Sequence, residues 1–323
     1  MIPASITPKT SPLKASTLVP LILFLGLALV PVYAQVFDDR FMMLFATRIA
    51  VLAIAVVSLD FILGFAGLVS FGHAAFIGIG AYAIGILSEH DIWEAWISFP
   101  VALAAGGLFA LITGAISMKT RGVYFIMITL AFGQMAYFTA TSLSAYGGDD
   151  GLTMWGRTEF FGTNLFANDI SFFYLVVGCL AASYLLLRIF TGSRFGRVLA
   201  GAKQSELRVE ALGISPYRYR LVAYCISGMV AALAGALMAN QAEFVSPSAM
   251  SWHRSGELIV MCLLGGLGSL HGALLGTIAY LALEEVLSGT TEHWRLIFGP
   301  LLVLVVLYGK GGLIGLVTRR PGK

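Results

Sequence analysis

The sequence predicts an all-α, polytopic membrane protein of about ten transmembrane segments. Three observations predict it. Hydrophobic residues fill 58% of the 323 positions and charged residues only 11%. The mean hydropathy is +0.87. Apolar runs near spanning length recur along the whole chain, separated by polar links. Soluble domains carry about 25% charged residues, so water is not the main solvent for these side chains. Twenty Lys and Arg against 17 Asp and Glu leave a net charge of +3. That balance excludes disorder, which needs low hydrophobicity and high net charge.

Ten apolar segments lie near 18–37, 41–63, 67–88, 97–117, 123–144, 171–190, 217–240, 256–268, 272–288 and 296–309. In the first, Lys9 and Lys14 precede the apolar stretch, and Val32-Tyr33-Ala34 resembles a signal-peptidase site. An uncleaved signal-anchor helix is the preferred reading. The eighth is short for a span and ends in Gly265, Gly266 and Gly268, which points to a broken or re-entrant helix. Such backbone is tolerated at membrane depth only inside protein or beside a water-filled cavity. Residues 67–82 align without gaps on 265–280, matching at six of sixteen positions, including His73 with His271 and Tyr82 with Tyr280. Both copies are expected to run in the same direction, as in a parallel repeat.

Lys and Arg placement sets the orientation. With both termini cytoplasmic, fifteen of the twenty fall on the cytoplasmic side, four (Arg40, Arg157, Arg254 and Arg295) on the outer side, and Arg48 within a span. The chain then divides into a tail at 1–17, one transmembrane domain at 18–309 and a tail at 310–323. The long loop 145–170 faces outward, and the basic loop 191–216 faces inward.

Several residues stand out chemically. Gly67, Gly72 and Gly78, with Gly265, Gly266 and Gly268, allow close helix packing. Ser70, His73 and Tyr82 are candidate path-lining groups, although buried polar residues more often serve local hydrogen bonding. A charge at the bilayer centre costs at least about 2.5 kcal/mol. Asp60, Glu257, Glu284 and Glu285 are therefore expected near interfaces, and the deeper Arg48 is expected to pair. In the basic loop, residues 203–212 can form a short helix with Glu206 and Glu210 on one face. Leu207, Val209 and Leu212 would supply apolar contacts, and Gly213 suits the position just after the helix. This helix is suited to docking on another protein or to lying on anionic lipid. Cys179, Cys225 and Cys262 sit in apolar runs and read as small buried hydrophobes rather than disulfides or metal ligands.

Other chemistries lack their spacing. No G-x-x-x-x-G-K-[ST] occurs, and Gly309-Lys310-Gly311-Gly312 does not supply one, so an active pump built on this chain needs a separate ATPase. Neither a nucleophile elbow with its partners nor a dinucleotide fingerprint is present. His73 and His271 lack the carboxylates of a metal motif. Basic residues flank the membrane, which argues against nucleic acid as a partner.

Four ordered motifs carry a resemblance. They are GFAGLVSFGHAAF at 64–76, TRGVYF at 120–125, GDDG at 148–151 and GGLGS at 265–269. Together with the run from Gly196-Arg197 to Gly213-Ile214, they resemble permease subunits of branched-chain amino-acid ABC importers, nearer the LivM-like than the LivH-like member. The resemblance covers roughly residues 40–315 and implies the ABC importer permease fold in a bacterial inner membrane.

It also implies partners: a second permease (expected as a heterodimer, though a second copy stays open), two cytoplasmic ATP-binding subunits and a periplasmic solute-binding protein. ATP and Mg would be used by the partner ATPase, with no cofactor on this chain and no covalent chemistry of its own. Arg197, Glu206, Glu210, Ala211 and Gly213 would belong to the ATPase-coupling segment. Gln204-Ser205-Glu206 departs from the acidic and Asn residues common there. The implied cargo is branched-chain amino acids or similar small solutes. Urea, amides or aromatic acids are the alternative within the family. A secondary transporter or channel independent of an ATPase, or an intramembrane enzyme using Ser70, His73 or His271, are the readings outside it.

Overall fold

The computed structural model describes residues 15–163, 165–290, 293, 296–300, 303 and 311–318. Among them the architecture is all-α apart from one pair of two-residue strands. The helices are α1 (Ala15–Phe37), α2 (Arg40–Asp60), α3 (His73–Glu89), α4 (Ala95–Ser117), α5 (Val123–Ser142) and α6 (Asp169–Gly192). They continue with α7 (Arg194–Gln204), α8 (Glu206–Ala211), α9 (Pro216–Ala242), α10 (Trp252–Gly265) and α11 (Leu270–Thr290). A further helix covers Gly312–Thr318.

Local sequence explains where these helices start. Asp39 accepts from the Met42 amide at 3.1 Å and opens α2. Asn168 caps α6 through Ile170 N at 3.0 Å, and Ser193 caps α7 through Phe195 N at 3.1 Å. Pro216 stands in the first turn of α9, where its missing N–H costs nothing.

Seven helices among the described residues are long and apolar enough to cross a membrane, rather than the ten expected. The third expected segment, 67–88, is represented by α3, only 17 residues long, because residues 66–72 are not helical. Gly67 there takes φ +72°, which breaks the helix. The eighth is a 14-residue helix that stops at Gly265, as its glycines foretold. Most of 296–309 lies outside the described residues, although 296–300 is helical. The first expected segment is α1, and Val32-Tyr33-Ala34 is helical within it.

α2 is the central post. It runs through a π-helical turn (Phe61–Phe65), and 78% of this span is buried by its neighbours. α6, α9, α10 and α11 all pack on it. Lipid tails are as apolar as Leu, so these contacts are held by close packing rather than by escape from water. Small residues make that possible. A side chain at Gly80 would run into the Ala232 carbonyl, and one at Gly235 into the Ile77 carbonyl, so α3 and α9 touch backbone to backbone. Gly265, Gly272 and Gly276 bring α10 and α11 together in the same way.

The connections gather at two ends. At one end the π-turn, the 118–122 link, α7, α8 and the 266–269 loop meet. At the other, Leu152 pairs with Val245 and Thr153 with Phe244 in an antiparallel register. Arg157, only 9% exposed, binds Asp169 at 2.7 Å and Glu243 at 3.5 Å, and ties the long 145–170 loop down. The loops that precede α3 and α11 lie at the same end, where Gly64 abuts Gly268. The two repeat-like segments therefore run in the same direction, as expected.

Gly235→Ala should force α3 and α9 apart at a cost of about 1–3 kcal/mol. Gly178→Ala should cost nothing comparable, because nothing lies within 4 Å of its added methyl. Thermal unfolding of the two detergent-solubilised variants checks the contrast.

Candidate functional site

Three features could serve function, and they lie at different depths. The first is an apolar cavity of about 530 Å³ between α3, α4 and α5. Tyr82, Ile86, Phe109, Phe132, Met135 and Met250 are among its walls. Its side-chain polar atoms are the hydroxyls of Tyr82, Thr113 and Thr139, and two of these are committed: Thr113 Oγ1 donates to Phe109 O at 2.8 Å and Thr139 Oγ1 to Met135 O at 2.7 Å. The Tyr82 hydroxyl has no hydrogen-bond partner. Met250 stands where a side chain on Gly78 would collide, so that glycine makes room for a cavity wall.

The second is a buried polar seam beside α2. Ser58 Oγ donates to Ala55 O at 2.7 Å and lies 2.9 Å from His73 Nε2. Because a carbonyl can only accept, Ser58 gives its proton there and accepts Nε2–H from His73. Ser227 Oγ reaches Ser58 O at 2.5 Å. Asp60, fully buried, accepts the Gly268 amide on Oδ1 at 2.8 Å. Lys203 Nζ crosses from α7 and donates to Gly64 O at 2.6 Å.

Asp60 stands at the end of α2 and is enclosed by protein. Two broken helices meet at Gly64 and Gly268, and the loop amide exposed by the second break needs an acceptor inside the protein. Arg48 does pair, with Glu284 at 3.6 Å, and Glu257 holds Arg254 at 2.8 Å.

The third is the 193–215 segment. The single helix expected over 203–212 is two helices, broken at Ser205, whose backbone is extended. Glu206 and Glu210 still stand one turn apart on the second helix, but their surroundings differ. Glu206 turns inward, its side chain 13% exposed, and forms ion pairs with Arg220 and Arg121. Glu210 is exposed with Arg197, Ala211 and Gly213, beside Leu207 and Leu212 at 78% and 77% exposure. Val209 packs inward instead of joining them. The helix end is fixed as its glycine predicted: Gly213, at φ +77°, donates to Glu210 O at 2.8 Å, and Ile214 donates to Val209 O at 3.3 Å.

The structure thus separates the residues singled out from sequence. Ser70 and His73 are fully buried, and Tyr82 alone of that trio reaches the cavity. Gly67 packs on the Lys203 stem, Gly72 on the Thr129 carbonyl, and Gly266 on Gly311. Sequence reasoning did not foresee the contacts that Lys203, Arg121 and Arg220 make.

Apolar spanning helices packed through small residues, buried broken-helix turns and a walled cavity define a multi-pass membrane permease. Comparison with known proteins narrows the class. Residues 41–307 match the family described as branched-chain amino acid transport system / permease component, and the chain belongs to that family. It is 28% identical over 296 residues to the high-affinity branched-chain amino acid transport system permease protein LivM of Escherichia coli, covering 83% of this chain and 69% of that one. It is 28% identical over 263 residues to the autoinducer 2 import system permease protein LsrC of an Enterobacter species, covering 75% and 71%. It is 23% identical over 288 residues to LivH of Salmonella typhimurium, covering 81% and 91%. No solved structure matches the chain.

Asp60→Ala should release the Gly268 amide. An intramolecular hydrogen bond contributes about 0.5–1.5 kcal/mol net, so deuterium exchange at 266–269 should quicken roughly two- to ten-fold. Unchanged exchange would show that the loop closes without Asp60.

Proposed function

We propose that this chain is the LivM-like permease subunit of an ATP-driven ABC importer in a bacterial inner membrane. Its cargo is branched-chain amino acids or close analogues. The cavity carries the choice of cargo. Its wall is almost wholly aliphatic and aromatic, with one uncommitted hydroxyl, on Tyr82. Such a wall accepts a branched aliphatic side chain and offers little to urea, which needs several hydrogen-bond partners. The cargo's charged ammonium and carboxylate would be met across the pathway by a second permease, and LivM and LivH relatives supply the precedent for a pair.

In this reading the basic end faces the cytoplasm, with tails at 1–17 and 310–323 on that side and the 145–170 loop on the periplasmic side toward a solute-binding protein. Two ATP-binding subunits use ATP and Mg. They dock on the coupling segment around Arg197, Glu210, Ala211 and Gly213, where exposed Leu207 and Leu212 add apolar contact. ATPase closure displaces this segment, and the glycine-packed helices rock between access states.

Purification of the tagged chain in mild detergent from its native membrane tests the reading. An ATPase and a second permease should accompany it, and the reconstituted assembly should take up leucine in preference to urea, amides or aromatic acids. A solitary chain under crosslinking would point to a secondary transporter or channel. Glu210→Arg should lower ATPase retention and uptake about ten-fold, the loss of one interface hot spot, while membrane insertion is unchanged. Normal uptake would remove Glu210 from the docking surface.

A further inference from the structure

We propose that Glu206 is a positioning residue that links the coupling segment to α5, and not a group that touches the ATPase. The inference rests on the permease reading above and concerns how motion leaves that segment. The Glu206 carboxylate divides between two guanidinium groups: Oε1 faces Arg220, and Oε2 faces Arg121. Arg220 lies in the first turns of α9, whose span is 61% buried and packed on α2, α3 and α4. Arg121 lies in the short link that starts α5, whose span is only 22% buried. One carboxylate therefore joins α8 to a fixed helix and to a lightly held one.

The two arms differ in kind. The Arg220 arm is shielded, at 15% side-chain exposure, and acts as the anchor. The Arg121 arm is 72% exposed, so water screens it and it can be made and broken at little cost. Removing the carboxylate releases the start of α5 from α8 and α9. That matters because Phe132, Met135, Ala136, Thr139 and Ala140, all on α5, line the cavity. A displacement of α8 reaches the cavity wall through Arg121, while α9 stays in place.

Two measurements test this together. Spin labels at Leu207→Cys and Val123→Cys, in a chain with its three native cysteines replaced by Ala, report the α8–α5 separation without any partner. Glu206→Gln should broaden that distance distribution, and Glu206→Arg combined with Arg121→Glu should narrow it again. In the reconstituted assembly, Glu206→Gln should keep its ATPase subunits yet deliver about 5–150-fold less substrate per ATP, the usual range of coupling between sites. The swapped pair should recover part of the loss.

Loss of the ATPase from the Glu206→Gln assembly would overturn the proposal and return Glu206 to the docking surface. An unchanged distance distribution, or unchanged transport per ATP, would also overturn it. If the wild-type chain brings no ATPase, the permease reading fails, and the spin-label distances still decide whether Glu206 holds α8 to α5.

Discussion

Backbone groups freed by a broken helix must find partners inside the protein, because lipid offers none. The rest of this structure depends on how two such breaks are closed. After α2, the π-turn leaves Gly64 O to be met by Lys203, and its Ile62 carbonyl accepts the Leu68 amide at 3.0 Å. After α10, the Gly268 amide is met by Asp60. The breaks abut, since a side chain on Gly64 would strike the Gly268 backbone. One carboxylate and one ammonium thus stabilise a crossing that two uninterrupted helices could not make. They also bring α7, a helix outside the spans, into the wall of the transmembrane core.

The glycines and the charges divide the work. Glycines set how near the helices stand, as with Gly80 and Gly235 between α3 and α9. Charges fix which loop meets which helix. Arg157 holds the 145–170 loop through Asp169, Glu243 and a cation–π contact with Phe172 at 4.8 Å. Glu206 holds the opposite end. The middle layer between them carries hydroxyls that mostly bond to their own helix, as Thr47, Thr113, Ser117 and Thr277 do. Such bonds satisfy the polar atom without linking helices, so that layer is joined chiefly by shape.

Much of the fold was legible because lipid imposes a simple code. Long apolar runs gave seven spans, the glycines after Leu264 gave the short α10, and Gly213 gave a helix stop that the backbone bears out. The loops also sort to two ends, as alternating spans require. The site was less legible, because periodicity describes a helix by itself and cannot see what lies across from it. Glu206 and Glu210 stand one turn apart on α8, as their spacing implies, yet spacing alone would expose both. The guanidinium groups of Arg121 and Arg220, 85 and 14 residues away in sequence, turn Glu206 inward instead. Asp60 is alike: its partner lies 208 residues on, so its burial inside the protein could not be read from its place near the end of an apolar run.

α1 has a different relation to the whole. Only 11% of its span is buried, and it touches the rest mainly through α2 and α6, as where Phe24 meets Tyr184 edge-on at 5.7 Å. α6 is synthesised more than a hundred residues later. During synthesis α1 therefore enters the bilayer without α6, and its own mean hydropathy of 2.0 favours its retention there. A polar substitution on its lipid face would act at that early step, as a failure of insertion rather than a defect in the finished protein.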